Sequence, residues 1–232
     1  MNKADGKAVL DKAGKEITAS VSFRPEKAEG SVGLTYKVEA GILQGGTVVV
    51  FEDLYHNGIM VTSHADINDA DQTVDYPEIR TNAVDGTTGD HLGTSAQKTT
   101  IVDTVTYKNL TPGREYTVTG KLVNQKDGRD VLDQNQKSIT ASITFKPEKT
   151  AGSVKLVYQI EKGILEGSSV VVFEDLYYNN AKVASHADIK DQNQTVSYPK
   201  VTTDASDGLI GEHAGTAAEK ATVNDTVTSE DP

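Results

Sequence analysis

One block of sequence occurs twice in this chain, and its spacing constrains the fold more than any other feature. The segment Val48–Val74, which contains VVVFEDLY and then HADI, returns as Val170–Val196. His64 and His186, which occupy equivalent places in the two copies, lie 122 positions apart, and no gap is needed to align the copies. A repeat of constant period is the signature of an array of similar structural units.

The repeat divides the chain into unequal parts. Residues 2–77 align with residues 124–199, and about 46 of these 76 positions are identical. The join around Pro77 lacks the Gly- and Ser-rich composition of a flexible linker, which favours repeats stacked end to end. We therefore predict a truncated repeat at 1–76, a complete repeat at 77–200 and the start of a third repeat at 201–232.

The composition and motif content of the chain exclude several classes of partner, cross-link and cofactor. The net charge of −11 argues against nucleic acid, because phosphate binding needs a basic surface. There is no cysteine, so no disulfide or thiolate–metal site holds the repeats. We find no signal peptide and no membrane-spanning run, and expect a chain that is either cytosolic or cut from a longer protein. No nucleotide, metal-hydrolase or flavin motif occurs, and we expect no cofactor.

Local patterns predict strands throughout the chain. Turn signatures such as Asn57-Gly58 and Asn109–Gly113 separate apolar or alternating segments, and no helical pattern exceeds one turn. Short strands at roughly eight- to twelve-residue spacing are typical of a β-sandwich. The predicted strands are Ile17–Phe23, Val32–Val38, Thr47–Tyr55, Thr100–Tyr107, Glu115–Leu122, Ile139–Phe145, Val154–Ile160 and Ser169–Tyr177.

Four polar side chains of the complete repeat fall on strand faces that are otherwise apolar. Because side chains alternate between the two faces of a strand, Thr81, Asp103, Glu174 and Gln194 each share a face with apolar neighbours on a different strand. A buried polar group without a partner costs roughly 2–7 kcal/mol, and a lone carboxylate far more. These four side chains must therefore meet one another or face water.

The same residue types, with His186, are suited to forming an ester. A threonine hydroxyl such as that of Thr81 is a weak nucleophile until a base assists it, and the carboxamide of Gln194 can lose ammonia. Two buried carboxyls, Asp103 and Glu174, would share one proton and polarise the amide carbonyl. His186 would carry the hydroxyl proton to the leaving ammonia.

Plainer interpretations exist for each residue. A single glutamate on a strand usually lies at an edge, and a single histidine usually lies at the rim of a domain. Asp66–Asp71 loosely resembles a calcium loop but lacks its glycine and distal glutamate, so we expect no metal there. Two other functions stay open: a ligand-binding sandwich that recognises a host protein or glycan, and a hydrolase that uses His186. Aromatic residues are only 6% of the chain and Trp is absent, which disfavours a sugar-binding surface. No nucleophile-turn motif is present, which disfavours a hydrolase.

Several motifs in one order carry a family resemblance. The chain resembles the VaFE-repeat, or Thr–Gln ester-bond, domains of Gram-positive surface adhesins through Ile79–Ala83 (IRTNA), Ile101–Tyr107 (IVDTVTY), Leu110–Gly113 (LTPG), Val170–Tyr177 (VVVFEDLY) and His186–Ile189 (HADI) with Gln194. The resemblance implies an all-β fold of immunoglobulin-like (CnaB-like) β-sandwich repeats in tandem. It also implies that Thr81 and Gln194 form the cross-link, and that Asp103, Glu174 and His186 promote it once per molecule rather than as an enzyme with turnover.

The resemblance also implies a cellular role, a location and partners. It implies structural shaft modules of an adhesin or pilus-like protein, extracellular and anchored to the cell wall. The expected partners are neighbouring repeats of the same chain, with a host receptor bound through another part of the parent protein.

The truncated first repeat departs from the family pattern. It keeps Glu52, His64 and Gln72 but has no matching threonine and no Asp-Thr-Val strand ahead of them, so we expect no ester from its own residues. Thr203 and Asp225 in the tail correspond to the missing pieces. They would serve Gln72 only by reaching back or by pairing with another molecule, and we expect neither in the natural protein.

Overall fold

The protein is all-β in the computed structural model, which describes residues 1–215 and 220–230. These residues form fourteen strands and one 3₁₀ turn, and none of their helical segments has the length and apolar character to span a bilayer. They divide into two compact units, one of residues 1–79, 107–114 and 146–152 and one of the remaining described residues. The strands are β1 (Thr47–Val49), β2 (Glu52–His56), β3 (Ile59–His64), β4 (Thr73–Asp75), β5 (Glu78–Asp85), β6 (Thr99–Lys108), β7 (Tyr116–Asn124), β8 (Thr140–Phe145), β9 (Gly152–Ile160), β10 (Ser168–Tyr178), β11 (Ala181–His186), β12 (Thr195–Tyr198), β13 (Lys200–Asp207) and β14 (Val223–Glu230).

Two sheets build a β-sandwich in the second unit. Strands β11, β10, β7 and β8 lie side by side, and β12 pairs with the start of β10. Strands β5, β6 and β9 form the other sheet. The two sheets face each other, as shown by the hydrogen bond from the Thr81 hydroxyl of β5 to Glu174 of β10. The immunoglobulin-like β-sandwich expected from the sequence is confirmed.

Alternation along the strands decides which side chains enter the core. Every second residue of β5 from Ile79 to Asp85, and of β6 from Thr99 to Val105, is buried. Each large apolar side chain buried in this way contributes roughly 1.5–3 kcal/mol. The apolar positions therefore fix which face of each strand points inward, and they carry Thr81 and Asp103 into the core with them.

The first unit has the same local pairing as the second but fewer strands. β1 pairs with β4 and β2 with β3, with Glu52 opposite His64 and a bulge after Leu54. The same pairing and the same bulge recur between β10 and β11, where Glu174 lies opposite His186. The two copies of the sequence repeat therefore pair these strands in the same register.

Three strand predictions for the first repeat are wrong. Ile17–Phe23 and Val32–Val38 are not strands, although their counterparts form β8 and β9. Thr47–Tyr55 is broken between β1 and β2, whereas its counterpart runs unbroken within β10. A strand exists only where a neighbour completes its hydrogen-bond ladder, and β10 has β7 beside it along most of its length. The first repeat contains no sequence equivalent to β7.

The tail forms a hairpin. β13 and β14 pair antiparallel, with Thr203 opposite Val227 and Asp225 opposite Ala205. Most of its residues are exposed, apart from Asp207, which is buried at the end of β13. The pattern of the hairpin matches β5 and β6 at the 122-residue offset.

Candidate functional site

Four polar residues of the complete repeat are buried in the second unit. Thr81 comes from β5, Asp103 from β6, Glu174 from β10 and Gln194 from the 3₁₀ turn Gln192–Gln194 that precedes β12. Their exposed fractions are 8%, 0%, 1% and 0%. His186 on β11 is half-buried and lies opposite Glu174 in the strand register. Contacts of Glu174 link it to Thr81, Asp103 and His186, and Gln194 is buried in the turn that follows β11. That these five residues act together stays a prediction.

The threonine hydroxyl contacts the carboxyl across the two sheets. Thr81 Oγ1 donates to Glu174 Oε2 at 3.3 Å, a long hydrogen bond between buried groups. This contact places the Thr81 hydroxyl beside the Glu174 carboxyl. The neighbouring threonines of β6, Thr104 and Thr106, alternate away from the buried face.

Asp103 and Glu174 form a buried carboxyl pair. Burial first, and the charge of Asp103 second, raise the pKa of Glu174 far above its ordinary value. Burial also raises the pKa of Asp103, but less, because a hydrogen bond from Glu174 and the charge of His186 oppose the rise. The Asn82 backbone also lowers the pKa of Asp103, but no described residue other than Glu174 offers either Asp103 oxygen a close donor. A proton held on Glu174 supplies that donor, so the pair carries one proton between its two members.

His186 has a partner that sequence reasoning missed. Its Nε2 lies 2.8 Å from Asp191 Oδ2, and both side chains are about one-fifth exposed. In the first unit His64 Nε2 lies 2.7 Å from Asp69 Oδ2, in the same His-x-x-x-x-Asp spacing. That spacing, preserved in both copies, was the available signal. A carboxylate on one ring nitrogen orients the ring and sets which nitrogen carries the hydrogen in the neutral form.

Gln194 is positioned by a turn rather than by a strand, which corrects the sequence prediction. Asp191 caps the 3₁₀ turn: its Oδ1 accepts the Asn193 NH at 2.9 Å, and its carbonyl accepts the Gln194 NH at 3.2 Å. The same aspartate thus orients His186 and shapes the backbone that carries Gln194. The turn forms because an Asp side chain readily accepts a backbone NH two residues ahead.

Neither amide atom of Gln194 hydrogen-bonds to any described residue, and Glu174 Oε1 is equally unpaired. Buried groups of this kind usually have partners, so exceptions mark sites with a role beyond stability. Asp85 of β5 provides the contrast, since it is also fully buried. Its oxygens accept the backbone NH groups of Thr87 and Thr88 and the hydroxyls of Thr99 and Tyr198. Burial alone would raise the pKa of Asp85, but these donors hold it below its ordinary value.

The counterparts in the incomplete repeats lie in more open surroundings. Glu52 and His64 face each other across β2 and β3, and His64 is exposed. Gln72 is half-buried, before β4. Thr203 and Asp225 are exposed on the β13–β14 hairpin. The candidate site with buried reactants is therefore that of the second unit.

The acidic segment that loosely resembles a calcium loop shapes the local backbone. Asp66 Oδ1 accepts the Asn68 NH at 2.9 Å, and Asp69 Oδ1 accepts the Asp71 NH at 2.8 Å. These are Asx turns, in which the carboxylate satisfies its own backbone. The segment around Asp188 makes the equivalent bond to the Lys190 NH at 2.9 Å.

One family model and several solved structures match this chain. A model of the family described as "T-Q ester bond containing domain" matches residues 1–76 and again residues 77–198. Two solved structures of a bacterial adhesin from Mobiluncus mulieris, described as containing intramolecular disulfide, isopeptide and ester bond cross-links, also align. One has 13% identity over 68% of this chain and 75% of its own, with a TM-score of 0.46. The other has 15% identity over 68% and 74%, with a TM-score of 0.44.

These structural scores are too low to carry an argument, and no protein with a curated function matches the chain. The two family-model matches together span most of the sequence, and the resemblance drawn from its motifs is confirmed. The chain therefore belongs to the family of T-Q ester bond containing domains.

Proposed function

We propose that the second unit cross-links itself through an ester between Thr81 and Gln194. The observation that supports this most is the shared burial of a hydroxyl, a primary amide and a carboxyl pair whose polar atoms lack full sets of partners. A packed core holds such groups in fixed geometry, and proximity of this kind removes a large part of a reaction barrier.

The reaction balances without any added reagent. Thr81 Oγ1 attacks the Gln194 side-chain carbonyl carbon, forming the ester C–O bond and breaking the C–N bond to Nε2. The hydroxyl proton ends on the nitrogen, which leaves as ammonia. The products are one ester and one ammonia molecule per domain, and because Thr81 and Gln194 are consumed there is no turnover.

Each surrounding residue has a defined part in this proposal. The proton held by the Asp103–Glu174 pair polarises the Gln194 carbonyl and stabilises the developing oxyanion, as donors in a water-excluded site do. His186, oriented by Asp191, accepts the Thr81 proton and passes it to the amine. Release of neutral ammonia also leaves the core with fewer unpaired polar atoms.

The cross-link suits a shaft. Thr81 lies in the first strand of the complete repeat and Gln194 adjoins the last, so an ester between them would carry tension past the hydrogen-bonded strands. We propose that the chain belongs to the shaft of a bacterial surface adhesin or pilus-like protein, extracellular and anchored to the cell wall. Its partners would be neighbouring repeats, with host binding assigned to another part of the parent.

Intact-mass measurement of the full chain tests the ester. We expect the mass to fall below the sequence mass by one ammonia, and Gln194→Ala to abolish that loss. Gln192→Ala is the matched control, since Gln192 is an exposed glutamine in the same turn. A wild-type mass equal to the sequence mass rules out the cross-link in this chain.

Hydroxylamine distinguishes an ester from an amide cross-link. An ester is cleaved by hydroxylamine once the chain is unfolded, whereas an amide bond between Lys and Asn or Asp withstands it. We expect the treated wild-type chain to gain one hydroxylamine at Gln194, located by peptide mapping. Resistance to cleavage would assign the lost ammonia to a different bond.

The first repeat should stay uncross-linked. We expect Gln72→Ala to leave the mass loss at one ammonia, because the first repeat has no counterpart of Thr81 ahead of Gln72. Mass spectrometry of monomeric chain and of any covalent dimer checks this. A loss of two ammonia molecules, reduced to one by Gln72→Ala or Thr203→Ala, contradicts the prediction and identifies Thr203 as a second nucleophile.

A further inference from the structure

The hydroxyl of Tyr158 on β9 is, like the Gln194 amide, a buried polar group without a hydrogen-bond partner among the described residues. The side chain is fully buried, and no described residue hydrogen-bonds to its hydroxyl. Burying a hydroxyl without a partner costs free energy that a phenylalanine would avoid. Tyr198, equally buried in the same unit, donates to Asp85 Oδ2 at 3.2 Å. The tyrosine at 158 therefore calls for a different explanation.

The position of this hydroxyl is fixed by a glycine beside the carboxyl pair. Gly120 of β7 lies directly opposite Glu174 of β10 in the strand register, so any side chain at 120 would stand next to that of Glu174. A Cβ atom at Gly120 would overlap the Tyr158 hydroxyl oxygen. The missing side chain leaves the space beside Glu174 that the hydroxyl occupies.

The surrounding charges agree with this placement. Burial first, then the charges of Glu174 and Asp103, raise the pKa of Tyr158 far above its ordinary value. The hydroxyl thus stays protonated and is a permanent donor within the field of the pair. β9 and β6 belong to the same sheet, so Tyr158 and Asp103 approach Glu174 from the same side.

The same combination occurs in the first unit. Tyr36 lies 122 positions before Tyr158, as Glu52 does before Glu174. Burial first, and the charge of Glu52 second, raise the pKa of Tyr36. The tyrosine therefore stands near the glutamate in both copies, although the first copy has a different and more open environment.

We propose that Tyr158 is a positioning residue whose hydroxyl donates to the single negative charge of the Asp103–Glu174 pair and so sets the pH range in which the pair holds one proton. This inference rests on the proposed ester chemistry, where the one-proton state is the active one.

The titratable groups that face the pair come from four elements. They are Asp103 on β6, Tyr158 on β9, His186 on β11 and Asp191 at the 3₁₀ turn, together with Glu174 itself. His186 and Asp191 form their own ion pair at the edge of the site. Tyr158 is the neutral donor of this set and stays neutral through the working range, so its removal changes no charge.

The test is the pH dependence of ester formation in Tyr158→Phe. Chain recovered unreacted from inclusion bodies in denaturant is refolded at a series of pH values, and loss of ammonia is followed by mass spectrometry. Without the donor, the pair takes up its second proton more readily, so the acidic limb of the profile should move up by about one to two pH units. At a pH below the wild-type midpoint, the rate should fall about ten- to a hundredfold.

Tyr198→Phe is the matched control, because it removes an equally buried tyrosine hydroxyl that serves Asp85. It should lower stability and leave the pH profile in place. If Tyr158 has only a packing role, Tyr158→Phe should be as stable as wild type or more so, with an unchanged profile. That result overturns the inference.

A second measurement separates this inference from the ester itself. In the Gln194→Ala chain, which cannot react, carboxyl-carbon NMR titration follows Asp103 and Glu174 directly. Adding Tyr158→Phe should raise the lower midpoint of the pair by the same one to two pH units. An unmoved midpoint overturns the role of Tyr158 even if the wild-type chain forms its ester. A moved midpoint upholds it even if the wild-type chain does not.

Discussion

Thr81→Ala is expected to lower the thermal midpoint of the complete repeat by about 15 °C or more. The proposed ester closes a loop of about a hundred residues, which by the entropic account of cross-links stabilises a domain by about 4–5 kcal/mol. For a repeat of this size, one kcal/mol corresponds to about 4 °C. Scanning calorimetry of the full chain, with the transition of the second unit assigned by Gln194→Ala, measures the effect.

Two controls isolate the covalent bond. Thr106→Ala removes an exposed threonine hydroxyl that donates to the Arg80 carbonyl at 2.8 Å, and it should change the midpoint by only a few degrees. A thiol reductant should have no effect, because the chain contains no cysteine. If Thr81→Ala and Thr106→Ala melt at nearly the same temperature, the cross-link does not stabilise the repeat.

Glu174→Gln is expected to slow ester formation by at least about a hundredfold while leaving the fold intact. A glutamine has nearly the same shape but cannot hold the shared proton, and general acid catalysis of this kind typically contributes about 10²–10⁴ in rate. The mass of refolded chain, sampled over time, gives the rate directly. Circular dichroism checks that the sandwich has formed.

Asp175→Asn is the control for that variant. Asp175 is the next residue of β10, on the opposite face of the strand, where it pairs with Lys182 at 2.7 Å and accepts the Ser185 hydroxyl at 2.7 Å. Losing this surface ion pair should cost at most about 1 kcal/mol and leave the rate of ester formation unchanged. Ester formation at the wild-type rate in Glu174→Gln would remove Glu174 from the mechanism.

The carboxyl pair also predicts how the unreacted domain responds to pH. Because burial raises the pKa of Glu174, the folded state binds this proton more tightly than the unfolded state does. Stability from this source is therefore greatest at acidic pH and falls as the pH rises past the ordinary glutamate pKa. Urea unfolding of Thr81→Ala should show this decline, and adding Glu174→Gln should flatten it.

Strand alternation was enough to predict the burial of most candidate site residues from the sequence. Thr81, Asp103 and Glu174 are buried where the period-two pattern placed them, because their apolar neighbours fix which face of each strand turns inward. The prediction for Gln194 identified a buried residue but assigned the wrong element, since a short 3₁₀ turn has no sequence period to detect. The strands expected in the first repeat failed for another reason: propensity alone does not supply a neighbouring strand.

Asp191 and Tyr158 were missed because their contacts depend on the tertiary structure. Asp191 was visible as a conserved spacing between the copies, but its bond to His186 depends on a turn that reverses the chain between them. The alternation of β9 does not distinguish Tyr158 from an ordinary core tyrosine. Its relation to Glu174 becomes apparent only through Gly120, which comes from a third strand, distant in sequence from both.

The repeat, the all-β class, the buried face of each main strand and the family can all be read from the amino-acid sequence, because they depend on periodicities and local motifs. The contacts between polar groups from distant strands depend on the packed fold. Two sheets pressed face to face bring Thr81 within 3.3 Å of Glu174 across 93 residues of chain, and exclude the water that would otherwise satisfy them. Burial without partners is a property of the packed core, and it is what makes these residues a candidate reaction site.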